Sequence, residues 1–164
     1  MKKNKIIIGL TIILIILVSI IIFLLISINN KKQFKMPEFD NSVTEIPEDL
    51  EYKKNTIRVN NDYIFYIEPT PKLDQNNNLK INIVSSENNK IWIKVRILNG
   101  KKEIIGETGL IRPGDYLAKV KLHQEMSVND QITYKIMGYE KEKYTSAGTI
   151  SLNTRIGESW KRDF

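Results

Sequence analysis

An uncharged run near the start of the chain, Ile6 to Ile28, most constrains what this protein can be. The run holds 23 residues, and its only polar side chains are three hydroxyls. As a helix it would extend about 35 Å, enough to cross a hydrocarbon core of about 30 Å. Because lipid cannot hydrogen-bond open backbone groups, a single crossing segment has to be helical. The run therefore predicts a transmembrane helix over residues 6–28. Its anchoring positions are Ile6, Leu14, Phe23 and Ile28.

The same run could instead be a cleaved signal peptide or a buried core helix. A signal peptide has an apolar region of about 7–15 residues and a small-residue cleavage site. Here the run is longer, and Asn29-Asn30-Lys31-Lys32-Gln33 follows it without a small-residue pair. The chain has no cysteine, which excludes a lipid anchor on a thiol. Lysine clusters on both sides argue against a core helix, so we expect an uncleaved anchor.

The lysines beside the run bear on both topology and partners. Three precede it and three follow it, so their number does not set the orientation, and acidic residues contribute little to topology. A five-residue tail followed by an anchor and a folded domain is typically inserted with the tail inside. We expect a single-pass protein of the cell membrane, with a cytoplasmic N-terminus, an extracytoplasmic C-terminal domain and the lipid bilayer as one partner.

The net charge of +6 could suggest nucleic-acid binding, but its placement argues against this. The six flanking lysines account for the whole excess, because the other 19 basic residues match 19 acidic ones that all follow residue 35. Such flanking lysines meet anionic head groups. No basic stripe remains for nucleic acid, so we expect no nucleic-acid partner.

The rest of the chain predicts one all-β domain. Short runs of β-branched and aromatic residues recur about every ten residues, separated by turn residues and without a helical period, which favours an antiparallel sandwich of seven or eight strands. The clearest strand has Ile91, Ile93, Val95 and Ile97 on one face. Asn99-Gly100 after it predicts a type I′ hairpin. The expected organisation is a cytoplasmic tail (1–5), the span (6–28), an acidic linker (29–54), an immunoglobulin-like sandwich (55–152) and a C-terminal tail (153–164).

The acidic linker has two interpretations. Its prolines, acids and scattered apolar residues are typical of a polar spacer that holds a domain away from the membrane. Alternatively, Phe39, Val43 and Ile46 dock onto the domain as an added edge strand.

Two segments of the sequence resemble a known group of proteins. Residues 67–71, Ile-Glu-Pro-Thr-Pro, and residues 106–116, Gly-Glu-Thr-Gly-Leu-Ile-Arg-Pro-Gly-Asp-Tyr, resemble a group of small Gram-positive proteins. Those proteins have one N-terminal membrane anchor and one extracytoplasmic immunoglobulin-like domain, and many look as though they belong to mobile or conjugative elements. The resemblance covers about residues 60–152 and implies a surface role without a particular reaction. The loop after His123 lacks the group's Lys-Lys-Gly turn, and the tail past Leu152 is extra.

Searches for catalytic or metal-binding patterns give weak candidates. His123 is the only histidine and is more typical of a solvated loop residue than of a ligand or base. Asp74-x-Asn76-x-Asn78 copies the start of a calcium loop, but Leu79 and Ser85 stand where glycine and glutamate are needed. Nucleotide-binding glycine motifs are missing from the sequence. We therefore expect no cofactor. Four carboxylates could serve glycoside hydrolysis if a pair met: Glu68, Glu103, Glu107 and Asp115.

One strand face is a candidate partner-binding surface. Trp92, Lys94 and Arg96 share the outward face of the central strand, and exposed Trp and Arg are typical anchors of interfaces. The alternative is that Trp92 packs under the acidic linker or beside a neighbouring strand. The predicted function is a non-catalytic, membrane-anchored binding or scaffold module of the bacterial envelope with a protein partner. The alternatives are a wall-acting enzyme using surface carboxylates and a structural or pilus-like subunit.

Overall fold

A computed structural model describes residues 12–23, 37–59 and 63–157. The chain divides into two compact units, Met1–Met36 and Pro37–Phe164. In the first unit, residues 12–23 are helical and contain Leu14 and Phe23. Within the described ranges, no helix combines the length and the apolar character that a membrane crossing requires. The predicted span over residues 6–28 lies partly outside those ranges, as do Ile6 and Ile28.

The second unit is all-β, as the sequence predicts. Its described residues form a short 3₁₀ helix and nine strands. The 3₁₀ helix is Lys53–Asn55, and the strands are β1 (Ile57–Val59), β2 (Tyr63–Tyr66), β3 (Lys72–Leu73), β4 (Asn78–Ser85), β5 (Ile91–Asn99), β6 (Ile104–Glu107), β7 (Tyr116–Lys121), β8 (Gln131–Glu140) and β9 (Ser146–Arg155). The sequence predicts seven or eight strands, and the described residues of this unit contain nine. The two-residue strand β3, directly after Pro71, was not predicted.

The strands form two antiparallel sheets that face each other. The first sheet runs β1-β2-β4-β3, and β7 also pairs with β4. Strands β2 and β3 pair with β4 in succession, with Tyr66 opposite Val84 and Lys72 opposite Lys80. The second sheet runs β6-β5-β8-β9. The chain crosses from the first sheet to the second between β4 and β5, returns between β6 and β7, and crosses again between β7 and β8.

Period-two alternation of apolar residues builds the core between the sheets. On β5, Ile93, Val95 and Ile97 are completely buried, and they meet Ile81 and Ile83 from β4 in the same cluster. Because successive side chains of a strand point to opposite faces, one sequence pattern fixes which residues enter the core. The predicted inward face of the central strand is confirmed.

The hairpin after β5 is present, but its predicted turn type is wrong. Asn99 stays in the strand, and its side-chain oxygen accepts hydrogen bonds from the backbone N–H groups of Lys101 and Glu103 at 2.9 and 3.0 Å. The residue with a left-handed backbone is Lys102, at φ 64°. The loop is therefore longer than two residues, and it is stabilised by the hydrogen bonds that the Asn99 side chain accepts from Lys101 and Glu103.

Residues 37–52 dock on the sandwich, so the polar-spacer interpretation does not describe this part of the predicted linker. Phe39 forms a parallel bridge with Leu110, and Thr44 exchanges backbone hydrogen bonds of 2.8 and 3.0 Å with Tyr116. Val43 packs against the main core. Farther along, a second apolar cluster forms on the outer face of the first sheet. Its members are Tyr66, Val84 and Tyr116, with Ile46, Leu50, Tyr52 and Ala118 packed against them.

The C-terminal boundary of the domain also differs from the prediction. The tail was expected from residue 153, but β9 continues to Arg155 and Ile156 is completely buried. The N–H of Gly157 then donates to the carbonyl oxygen of Pro71 at 2.8 Å. The remaining residues, Trp160 among them, lie outside the described ranges.

Candidate binding surfaces

The structure places Trp92 in an aromatic cluster rather than on an open face. Its ring lies 4.9 Å from the Phe39 ring at 83°, an edge-to-face geometry, and 5.2 Å from the Tyr144 ring. The Arg112 guanidinium lies 3.8 Å from the centre of the Phe39 ring on its face. Phe39 belongs to the acidic segment, so Trp92 packs under that segment, as the alternative interpretation expects.

The other two residues of the predicted face share one carboxylate. Arg96 lies opposite Glu107 in the β5–β6 register, and both Arg96 Nε and Lys94 Nζ lie 3.1 Å from the same Glu107 oxygen. Lys94 is 8% exposed and so offers little to a partner. The Arg96 side chain, 37% exposed, is more open than that of Lys94. The two-residue turn predicted at Asn99-Gly100 would place Glu103 opposite Arg96. The longer loop and the register shift between Ile97 and Leu98 bring Glu107 there instead, so the sequence did not point to this pair.

This ion network makes a prediction about pH. Burial raises the pKa of Glu107, but the hydrogen bonds and charges of Lys94 and Arg96 outweigh it, and the net pKa lies below its usual value. A carboxyl with a lowered folded-state pKa stabilises the fold above its unfolded pKa of about 4.3, and that contribution is lost as pH falls through the folded value. We expect the stability difference between wild type and Glu107→Gln to shrink as pH falls from about 6 to about 3. Urea unfolding across this range measures it, and a constant difference would contradict the ion network.

The four carboxylates considered for glycoside hydrolysis each bind a different partner. Glu68 accepts from the Tyr66 hydroxyl, Glu103 from the Asn99 amide, and Asp115 from the Arg112 backbone N–H. With Glu107 held by two cations, the four carboxylates thus have separate partners. Asp74 closes its own turn by accepting from the side-chain and backbone N–H groups of Asn78.

The described part of the chain holds no group of three or more His, Cys, Asp or Glu residues placed to hold a metal ion. His123 is exposed, and its backbone N–H donates to Ile105.

Strand β9 forms an edge of the second sheet. Among the described residues its only strand neighbour is β8, and none of them pairs with the outer side of its middle. The N–H of Ile156 donates to Asp130. From Thr149 onward, past the register shift between Ser146 and Thr149, the even-numbered residues of β9 therefore direct their backbone groups toward β8, and the odd-numbered ones direct theirs outward. The outward bond of Gly157 to Pro71 agrees with this alternation. Thr149, Ser151 and Asn153 therefore present backbone donors and acceptors at the edge.

The other edges are shorter or covered. Strand β1 has three residues. The edge of β7 is paired with Thr44 through two backbone bonds, and β6 receives a bond from the N–H of His123 to Ile105. Strand β9 has ten residues and no lysine or proline. Lysine, proline and β-bulges usually protect an edge from pairing. The register shift of β9 lies between Ser146 and Thr149, so residues 149–153 remain open to an added strand from outside the described part of the chain. The sequence itself shows that residues 146–154 contain no lysine and no proline, so this open edge could have been suspected from the sequence.

A cleft of about 220 Å³ lies on the outer face of the first sheet. Its lining residues are Glu68, Thr70, Lys72, Lys80 and Asn82. It sits where the β4–β7 register shifts between Lys80 and Ile83, which marks a β-bulge. The cleft joins residues from three successive chain segments that the sequence alone does not bring together.

Comparison of the chain with models of protein families, with curated proteins and with solved structures finds no match.

Proposed function

We propose that this protein is a membrane-anchored, non-catalytic binding module of the bacterial cell envelope, with an immunoglobulin-like sandwich outside the membrane. The anchor is the uncharged run over residues 6–28 with its lysine flanks. The immunoglobulin-like assignment draws support from the strand order of the second sheet, β6-β5-β8-β9, which follows the C′-C-F-G order of that fold, with β4 and β7 as its B and E strands.

The uncovered edge of β9 carries the proposal of a binding function. An extended segment of a partner protein adds to this edge as a further antiparallel or parallel strand, held by the backbone groups of Thr149, Ser151 and Asn153. On the inner side, Ile150 and Leu152 pack against the core cluster and continue its apolar surface to the edge. The partner segment therefore carries alternating apolar residues on the side that meets these two.

A proline substitution at the edge tests this mode of binding. Ser151→Pro removes one outward N–H while the bonds to β8 stay, whereas Ser151→Ala keeps the N–H and serves as the matched control. After treatment of intact cells with a membrane-impermeant, amine-reactive crosslinker, we expect a discrete crosslinked partner with wild type and with Ser151→Ala. Ser151→Pro should lower its recovery about tenfold, because the added strand loses backbone bonds.

Two outcomes of this experiment count against separate parts of the proposal. Equal recovery of the partner with Ser151→Pro and Ser151→Ala would exclude strand addition at β9. A protein that does not react with the impermeant reagent in intact cells would exclude the extracytoplasmic location.

A further inference from the structure

The outer-face cleft holds two like charges directly opposite each other. Lys72 on β3 pairs in register with Lys80 on β4, so their side chains leave the same face of the sheet as nearest neighbours. Both are exposed, and neither forms an ion pair with another described residue. Like charges in directly opposite positions destabilise a sheet. An anion between the two ammonium groups would turn this repulsion into attraction.

Asn82 adds a fixed hydrogen-bond donor to the same cleft. It is 7% exposed and adopts φ 40°, a left-handed conformation that non-glycine residues rarely take inside a strand. The Tyr116 hydroxyl donates to its side-chain oxygen at 2.7 Å. That bond orients the amide and leaves its NH₂ group without an acceptor among the described residues. Strain of this kind is held where the surrounding structure enforces it, often at binding sites.

Glu68 and Thr70 supply the remaining polar groups. From the described residues, the two Glu68 carboxylate oxygens accept only long hydrogen bonds, 3.3 Å from the Tyr66 hydroxyl and 3.4 Å from the Thr70 N–H. Acceptor capacity is therefore left on a carboxylate that lines the same cleft as Lys72 and Lys80. A ligand that fits this arrangement needs an oxyanion for the donors and a hydroxyl group for Glu68.

We propose that this cleft binds a small oxyanion with a neighbouring hydroxyl group, of the kind found in a polyol phosphate. The oxyanion lies between Lys72 and Lys80 and accepts from the Asn82 amide, and the hydroxyl donates to Glu68. The volume of about 220 Å³ is below that of most drug-sized pockets, so the ligand is a small molecule or the terminal unit of a polymer. This site lies on the first sheet and does not depend on strand addition at β9.

Titration of the full chain tests the site directly. In detergent at low salt, with ¹⁵N labelling, sn-glycerol 3-phosphate should shift the Asn82 side-chain NH₂ resonance saturably. Inorganic phosphate should bind more weakly, because it has no alcohol hydroxyl on a neighbouring carbon to donate to Glu68, and glycerol should produce no shift. Lys80→Gln should weaken binding of sn-glycerol 3-phosphate about tenfold, because a charged hydrogen bond is lost. Lys90→Gln, at an exposed loop lysine, is the matched control and should leave the affinity unchanged.

A second variant keeps the test independent of folding. Asn82→Gly suits the left-handed backbone and removes the amide, so it should keep the fold and still lower the affinity. Equal affinity in wild type, Lys80→Gln and Asn82→Gly would overturn the proposal, since it would place the anion elsewhere, for example on the lysines that flank the apolar run. Equal affinity for phosphate and sn-glycerol 3-phosphate would overturn the role of Glu68 and with it the ligand class.

Discussion

Replacing Gly109 by alanine is expected to detach residues 38–40 from the sandwich and lower its stability by about 3 kcal/mol. A Cβ at position 109 would lie 2.5 Å from the Asp40 backbone nitrogen and 2.7 Å from the Phe39 carbonyl carbon. Both atoms are main chain, so no side-chain rotation relieves the overlap. The segment must move away, and it then loses the bonds of 2.9 and 2.8 Å that join Asp40 and Glu38 to Leu110.

The measurement combines thermal unfolding with tryptophan emission. A loss of about 3 kcal/mol lowers the melting temperature of a domain of this size by on the order of 10 °C. Moving Phe39 away exposes the Trp92 ring, so its emission should shift to longer wavelength, and a Trp160→Phe background isolates that signal. Gly100→Ala is the control, because nothing lies within 4 Å of its added Cβ. Equal melting temperatures for the two variants, or unchanged Trp92 emission, would contradict the docked arrangement.

Strand positions and the inward face of each strand were predictable because they follow from local alternation. The pattern over Ile91 to Ile97 requires one face to be apolar, and the structure buries that face completely at Ile93, Val95 and Ile97. A one-residue shift would place the whole set in solvent, so the sequence specifies the register strongly. Strand β3 was missed because two residues carry no periodicity.

The outward faces were not predictable in the same way, because what covers them comes from distant segments. Trp92, Lys94 and Arg96 do leave one face of β5, but the sequence does not say that Phe39 packs on the first of them. The same holds for Asn82, which lies in strand β4. Its left-handed backbone depends on the bulge and on the hydroxyl of Tyr116, a residue of another strand.

Because the backbone N–H groups of β9 point alternately toward β8 and outward, proline substitutions at two adjacent positions should differ strongly in their effect on stability. Leu152 lies opposite Tyr134, and its N–H points toward β8, so Leu152→Pro removes a ladder bond and displaces a side chain that packs on the core. We expect it to cost about 3 kcal/mol or more. The N–H of Ser151 points to the open edge, so Ser151→Pro should cost about 1 kcal/mol.

Hydrogen exchange and denaturant unfolding of the two variants distinguish a folded β9 with an open outer edge from a β9 that is frayed or already covered. In wild type, the amides of Ile150 and Leu152 should exchange slowly and those of Thr149 and Ser151 quickly, because only the first pair is bonded within the sheet. If Ser151→Pro were as destabilising as Leu152→Pro and the Ser151 amide were protected, another part of the chain would already occupy the edge. Strand addition by a partner would then have no free backbone groups to use. A mild Ser151→Pro beside a severe Leu152→Pro instead leaves β9 folded and open, which is the state that strand addition requires.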